Sequence, residues 1–283
     1  MKSSTLKTLV LAVSAVLGGA AHAGPFILAG TDADDHGSAT ATANVDGWLF
    51  MQRAIENLGS STGLTTTNRV VVALGSSPGE ALNAAQSAFS NSLLVGAGWT
   101  FQSVSDLTVA GALTSALSTA GIIMLDSGGN VGGGLTNPEE AVLTANAGAI
   151  NSFVAGGGGL FSQAGDYGWL SALVPGLTRI SQSSTGLALT AAGNTAFPGL
   201  TNANLSAGPW HNAFGNVGAI PVLATGIGSF ANSNVIIGAG AGSITNPENP
   251  PPVAAIPEPE TYALMLAGLG AIGAYARRRR KQA

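Results

Sequence analysis

The chain has 283 residues, 46% hydrophobic and only 8% charged, with a formal net charge of −4 and no cysteine. Without cysteine, a disulfide framework, thiol catalysis and thiolate metal sites are excluded. Between Gly24 and Ile256 only Arg53, Arg69 and Arg179 face twelve carboxylates, a net charge of −9 with no lysine, which excludes nucleic-acid binding because nothing there neutralises phosphates.

Residues 1–23 read as a signal peptide. Lys2 and Lys7 give a basic start, Leu9 to Leu17 an apolar core, and Ala21-His22-Ala23 a small-x-small cleavage site. Residues 24–238 then read as one exported domain, since the roughly 230 residues from Gly24 to Ile256 bury a single ample core. Phe26 to Ala29 is a short apolar run expected to form a first buried strand. The loop after it, Thr-Asp-Ala-Asp-Asp-His-Gly, places Asp32, Asp34 and Asp35 where α/β folds bind ligands. Three carboxylates there suit a hard cation such as Ca²⁺, although the EF-hand spacing fails because no Glu stands at the twelfth position. Their ordinary role is a solvated acidic loop with turn and capping functions.

Asp46 is expected to cap a helix with Trp48, Met51, Ile55 and Leu58 on one face and Gly59 at its end. Arg69 to Leu74 is the clearest strand, a continuous apolar run suited to burial on both faces. Ser77-Pro78-Gly79-Glu80 matches a capping box, opening a helix that buries Leu82, Ala85 and Phe89. Trp99 to Val104 reads as a strand, and Ser105 or Asp106 as the start of a helix with Leu107, Leu113 and Leu117 inward. Ile122 to Leu125 is a second buried strand, followed by Asp126 and a glycine-rich loop over residues 128–134. That loop lacks both a dinucleotide fingerprint and a phosphate-binding lysine. Asn137 is expected to start the longest helix, with Val142, Asn146, Ala149 and Phe153 on one side, ended by Gly156 to Gly159. Leu160-Phe161 begins the next strand; after Asp166 only Pro221 to Ala224 and Val235 to Ile237 read as strands.

Apolar strands alternating with helices imply βαβ units, hence a three-layer α/β domain with a mostly parallel sheet and helices on both faces, flavodoxin-like in arrangement. The strand ending in Asp126, the helix opened by Pro138-Glu139-Glu140 and the Phe153-to-Leu160 ending resemble class I glutamine-amidotransferase-like domains. The resemblance implies a nucleophilic cysteine at the next turn. This chain has Ser162-Gln163-Ala164-Gly165 there, so amidotransferase activity is not carried over.

Ser162, Asp166 and His211 are candidates for a hydrolytic triad, although Phe161-Ser162-Gln163 lacks the glycine that a nucleophile elbow places two residues before the serine. A structural histidine beside Trp210 is the plainer reading of His211. The four tryptophans, Trp48, Trp99, Trp169 and Trp210, are candidate sugar-stacking platforms or core residues.

From residue 239 to 255 the composition shifts to a Gly/Pro-rich linker. Residues 256–281 follow, with Pro257-Glu258-Pro259, an uncharged stretch over 262–276, then Arg277, Arg278, Arg279, Arg280 and Lys281. Fifteen residues span roughly 23 Å as a helix against a hydrocarbon core of about 30 Å, short but compatible with arginine snorkelling. The basic cluster predicts a cytoplasmic C-terminus. This triplet, span and Arg cluster resemble the PEP-CTERM sorting signal of Gram-negative bacteria. The resemblance implies export, transient anchoring by a C-terminal transmembrane helix, processing by an exosortase, and a link to exopolysaccharide and biofilm. It also implies that Sec machinery is a partner and that the mature body works at the cell surface or outside it.

The expectation is a structural or binding role. The alternatives are an extracellular hydrolase using Ser162 and His211, or a Ca²⁺-dependent adhesive domain using Asp32, Asp34 and Asp35.

Overall fold

The structure is a computed structural model that describes residues 24–128 and 132–239. The signal peptide, all of the linker after residue 239, the sorting segment with its predicted span over 262–276, and the middle of the glycine-rich loop lie outside the described residues. Among the described residues no helix is long and apolar enough to cross a membrane.

Strand β1 (Phe26–Ala29) is followed by a small separate hairpin of β2 (Gly37–Ala39) and β3 (Asn44–Val45), then helix α1 (Asp46–Gly59). Next come β4 (Val70–Leu74), α2 (Glu80–Ser90), α3 (Leu93–Gly96), β5 (Thr100–Val104), α4 (Ala112–Thr119) and β6 (Ile122–Leu125). Helices α5 (Asn137–Ala145) and α6 (Ala147–Ala155) lead into β7 (Gly159–Ser162). The last third contains α7 (Leu170–Leu173), β8 (Thr178–Thr185), β9 (Leu187–Leu189), α8 (Ala191–Ala196), α9 (Asn202–Leu205), β10 (Pro209–Gly215), β11 (Val222–Gly226) and β12 (Asn234–Ala239).

The main sheet runs β5-β4-β6-β7-β1-β12-β10-β8, with β11 joining β12 to β9. The five strands from β5 to β1 are parallel, as the apolar runs imply, and those beyond β1 are antiparallel. The order departs from the flavodoxin-like expectation. The place beyond β7 is taken by the N-terminal strand, and the sheet then continues as an antiparallel extension.

Alternate strand residues face two core clusters, which makes the domain three-layered. Ile27, Val71, Ile122, Met124 and Phe161 pack with α1, α2 and α8, while Leu28, Val72, Ile123, Leu125 and Leu160 pack with α4, α5 and α6. Phe50 of α1 anchors the first cluster, meeting Phe161 and Phe197 edge-on with ring centroids 5.6 and 5.4 Å apart.

Several local expectations are corrected. Asp46 is not a cap: Val45 holds that position and Asp46 itself adopts φ 55°. The predicted box at Ser77 does not form, because α2 starts at Glu80 after Gly79, and the Ser77 hydroxyl donates to the Gly133 carbonyl instead. Asp106 accepts from Thr108 in a turn, and α4 waits until Ala112 because Gly111 adopts φ 79°. The predicted long helix is two helices broken at Asn146, whose side chain bonds back to the Val142 carbonyl. Its inward face is Leu143, Ile150 and Val154, while Asn146 and Ala149 are exposed.

The cap of α5 lies one residue before the predicted Asn137. The Thr136 N–H and hydroxyl donate to Glu139 Oε2 at 2.9 and 2.7 Å, and the Leu107 N–H donates to Glu139 Oε1 at 3.0 Å. Glu139→Ala strands these donors and is expected to cost about 2 kcal/mol. That corresponds to a fall of about 4–8 °C in the thermal unfolding midpoint, read by circular dichroism.

Candidate functional site

The loops leaving β1, β6 and β7 meet at the carboxyl edge of the parallel strands, where helix-covered sheets bind ligands. A pocket of about 250 Å³ opens there, and β8 and β10 complete its wall. The wall depends on a close approach. The amides of His211 and Asn212 both donate to the Gly30 carbonyl, at 2.7 and 3.2 Å, forming a β-bulge in β10. On the other side of β10, the register with β8 jumps from Trp210↔Ser184 to Asn212↔Ser181. These irregularities turn two consecutive side chains, His211 and Asn212, onto the pocket. Arg179, Ser181 and Ser183 reach it from alternate positions of β8.

Hydrogen bonds hold the lining in place. Arg179 Nε donates to Asn212 Oδ1 at 2.5 Å, and Asn212 Nδ2 donates to the Gly165 carbonyl at 3.3 Å. Gln163 Oε1 accepts from the Thr31 hydroxyl at 2.9 Å and from the Ala33 N–H at 3.0 Å, which fixes its amide orientation. Gln163 Nε2 is buried and finds no partner among the described residues.

His211 links two groups across the pocket. Its Nδ1 lies 2.8 Å from Ser183 Oγ and its Nε2 lies 3.1 Å from Asp32 Oδ2. An ionised carboxylate only accepts, so the Asp32 contact places the imidazole proton on Nε2 and leaves Nδ1 to accept from Ser183. His36 Nε2 also approaches Asp32 Oδ2, at 3.4 Å. The Asp32 side chain is 9% exposed against 49% for His211, so a sheltered carboxylate orients an accessible imidazole.

Next to this rim lies a buried acid layer. Burial pushes the Asp34 carboxyl up to about 6; the Ser127 hydroxyl opposes the rise, and the charges of Asp35 and Asp32 add to it. Asp126 is raised well above the usual carboxylate range by burial and by Asp34, against a hydrogen bond from Ser76. Burial also raises Glu140, even though its Oε1 accepts the Asp166 N–H at 2.7 Å. The Tyr167 hydroxyl, raised by burial, donates to the Ala29 carbonyl at 2.8 Å.

Of the residues singled out in the sequence, Asp32 and His211 come together. Ser162 and Asp166 do not join them. Ser162 is fully buried, with its hydroxyl 3.3 Å from Tyr167 Oη and 3.2 Å from the Ala164 N–H, and Asp166 pairs with Arg179 at 3.5 Å. Asp34 and Asp35 do not converge with Asp32 on a common centre. Among the described residues no group of three or more His, Asp or Glu side chains is arranged to hold a metal ion. Trp99, Trp169 and Trp210 are core residues rather than sugar platforms; the half-buried Trp48 donates from Nε1 to the Asp34 carbonyl at 2.8 Å. Ser183 is missing from the sequence-based candidates. Its signal is the polar row Arg179, Ser181, Ser183, which recurs at strand period on one face.

The described residues therefore form an α/β domain with a polar pocket on the carboxyl edge of its sheet. Beyond that domain, residues 255–281 match the PEP-CTERM protein-sorting motif. The motif makes this chain an exosortase-targeted secreted protein, directed to the cell envelope or surface. No curated protein and no solved structure matches the chain significantly, so the amidotransferase-like resemblance of the body finds no support.

Proposed function

We propose that residues 24–238 form an exported domain that recognises an acidic saccharide of the extracellular matrix in the pocket between β1, β7, β8 and β10. The observation carrying this reading is the place of Arg179. A body with three arginines against eleven carboxylates sets one arginine in the lining of its polar pocket, beside Ser181, Ser183 and Asn212. A guanidinium matches a sugar carboxylate, and hydroxyl and amide groups match sugar hydroxyls. In this reading Sec machinery exports the chain, the signal peptide is cleaved after Ala23, residues 262–276 anchor the chain transiently, and an exosortase acts at the tail that includes Pro257-Glu258-Pro259 and Arg277 to Arg280.

Calorimetric titration of sodium D-glucuronate into the exported protein, with glucose as the neutral control, tests the assignment. Glucuronate is expected to bind and glucose to bind much more weakly. Arg179→Gln is expected to weaken glucuronate by about tenfold or more, the usual scale of a charge-assisted hydrogen bond. Equal affinity for both sugars, or an unchanged affinity in the variant, removes the reading.

A further inference from the structure

We infer that the same pocket hydrolyses short acyl esters through a Ser183–His211–Asp32 relay, with Gln163 as the oxyanion donor; this rests on reading the pocket as a ligand site. Three independent features support it. Ser183 Oγ, the imidazole and Asp32 form a continuous hydrogen-bonded chain, at 2.8 and 3.1 Å. The two ring nitrogens exchange the roles they have in serine proteases, which leaves the proton path the same. The second feature is Gln163, which lines the pocket with all three relay residues and whose buried Nε2 has no partner among the described residues. An orphaned buried donor costs about 1–3 kcal/mol, and an oxyanion is a partner of the right charge. The third is the paired irregularity in β8 and β10, which sets Ser183 beside His211 on an open rim.

The chemistry balances without a cofactor. The Ser183 oxygen attacks the ester carbonyl carbon as its proton passes to His211 Nδ1, and Asp32 holds the resulting imidazolium through Nε2. The carbonyl π pair moves onto oxygen, where Gln163 Nε2–H donates to it. Collapse of the intermediate breaks the bond to the alkoxy group, which leaves as an alcohol with the Nδ1 proton. Water then attacks the acyl-serine, gives a proton to Nδ1, and releases the carboxylic acid as Ser183 regains its hydrogen. The pocket volume of about 250 Å³ suits a short acyl chain, and Arg179 favours a carrier bearing a carboxylate, so the substrate class is an O-acetylated acidic saccharide.

The test uses the exported protein with 4-nitrophenyl acetate as the turnover probe, a fluorophosphonate as the covalent probe and sodium D-glucuronate as the binding probe. Background acylation is low because no lysine or cysteine lies between Gly24 and Ile256. The wild type is expected to turn over the ester and to carry the phosphonyl adduct on Ser183 in peptide mapping. Ser183→Ala and His211→Gln should each lose about a hundredfold or more in kcat/KM. Ser183→Ala still binds glucuronate through Arg179, though more weakly than the wild type, and Ser162→Ala keeps its turnover. Asp32→Asn removes the carboxylate that holds the His211 imidazole, so it should lower kcat and leave KM in place. Wild-type turnover in Ser183→Ala, or an adduct on another serine, overturns the relay. Glucuronate binding without ester turnover overturns the relay and leaves the binding reading standing; the absence of both overturns the two together.

Discussion

Gly30→Ala is expected to destabilise the protein by about 3 kcal/mol or more and to abolish glucuronate binding at the pocket. The reason is a backbone approach. A Cβ on Gly30 would overlap the carbonyl oxygen of Asn212, with the Asn212 carbonyl carbon and Cα directly behind it. Nothing flexible can yield there, since the obstacle is main chain. Relief requires β10 to move away, which breaks the two hydrogen bonds that the His211 and Asn212 amides donate to the Gly30 carbonyl. Those bonds hold the bulge that turns His211 and Asn212 onto the pocket. Stability and binding should therefore fall together. For a domain of this size the loss corresponds to about 6–12 °C in the unfolding midpoint. A Gly30→Ala protein that melts like the wild type and binds glucuronate normally would show that β10 does not need this contact.

Gly30 also marks the boundary of what the sequence discloses. Read locally, Gly30-Thr31 simply ends a strand; its actual constraint comes from a residue far along the chain. The parallel strands were legible because Val70 to Leu74 and Ile122 to Leu125 are buried on both faces, which leaves continuous apolar runs. The antiparallel extension was not, because β8 is mostly exposed and reads Thr-Arg-Ile-Ser-Gln-Ser-Ser-Thr without apolar alternation. The helix starts failed for a related reason. Ser77 and Asp106 have the right chemistry for caps, but a tertiary contact to Gly133 takes the first and a local turn takes the second. At the site, acidity in a strand-end loop flagged Asp32, and titration chemistry flagged His211. Serine is common enough in this chain that Ser162, beside the expected turn, drew the nucleophile assignment. Burial against Tyr167 closes that position, and only the fold brings Ser183 to the imidazole.

Asp34→Asn is expected to stabilise the protein at pH 7 by roughly 3 kcal/mol and to do little at pH 4. Asp34 is fully buried, and the hydrogen bond from the Ser127 hydroxyl is too weak to offset that burial. Its carboxyl is raised from 3.8 to about 6, chiefly by burial. An acid raised in the folded state binds its proton more tightly there than in the unfolded chain. Its favourable contribution is complete below 3.8 and is lost as the pH climbs through about 6, where the buried group must ionise. Asp126 titrates in the same direction against the same neighbour, so the wild type should be most stable at mildly acidic pH. Asparagine keeps the size of the side chain and removes the ionisation, which flattens this slope. Thermal midpoints at pH 4, 5, 6 and 7 for both proteins decide the matter: parallel curves would mean that Asp34 does not titrate in this window. The pocket itself should respond little, because the relay draws on Asp32, whose carboxylate is held by His211 and His36. A variant that gains stability at neutral pH while glucuronate affinity and ester turnover stay put would separate the two acidic groups of one loop. Asp34 would then be a standing cost of burying carboxylates behind the site, and Asp32 the carboxylate that the site uses.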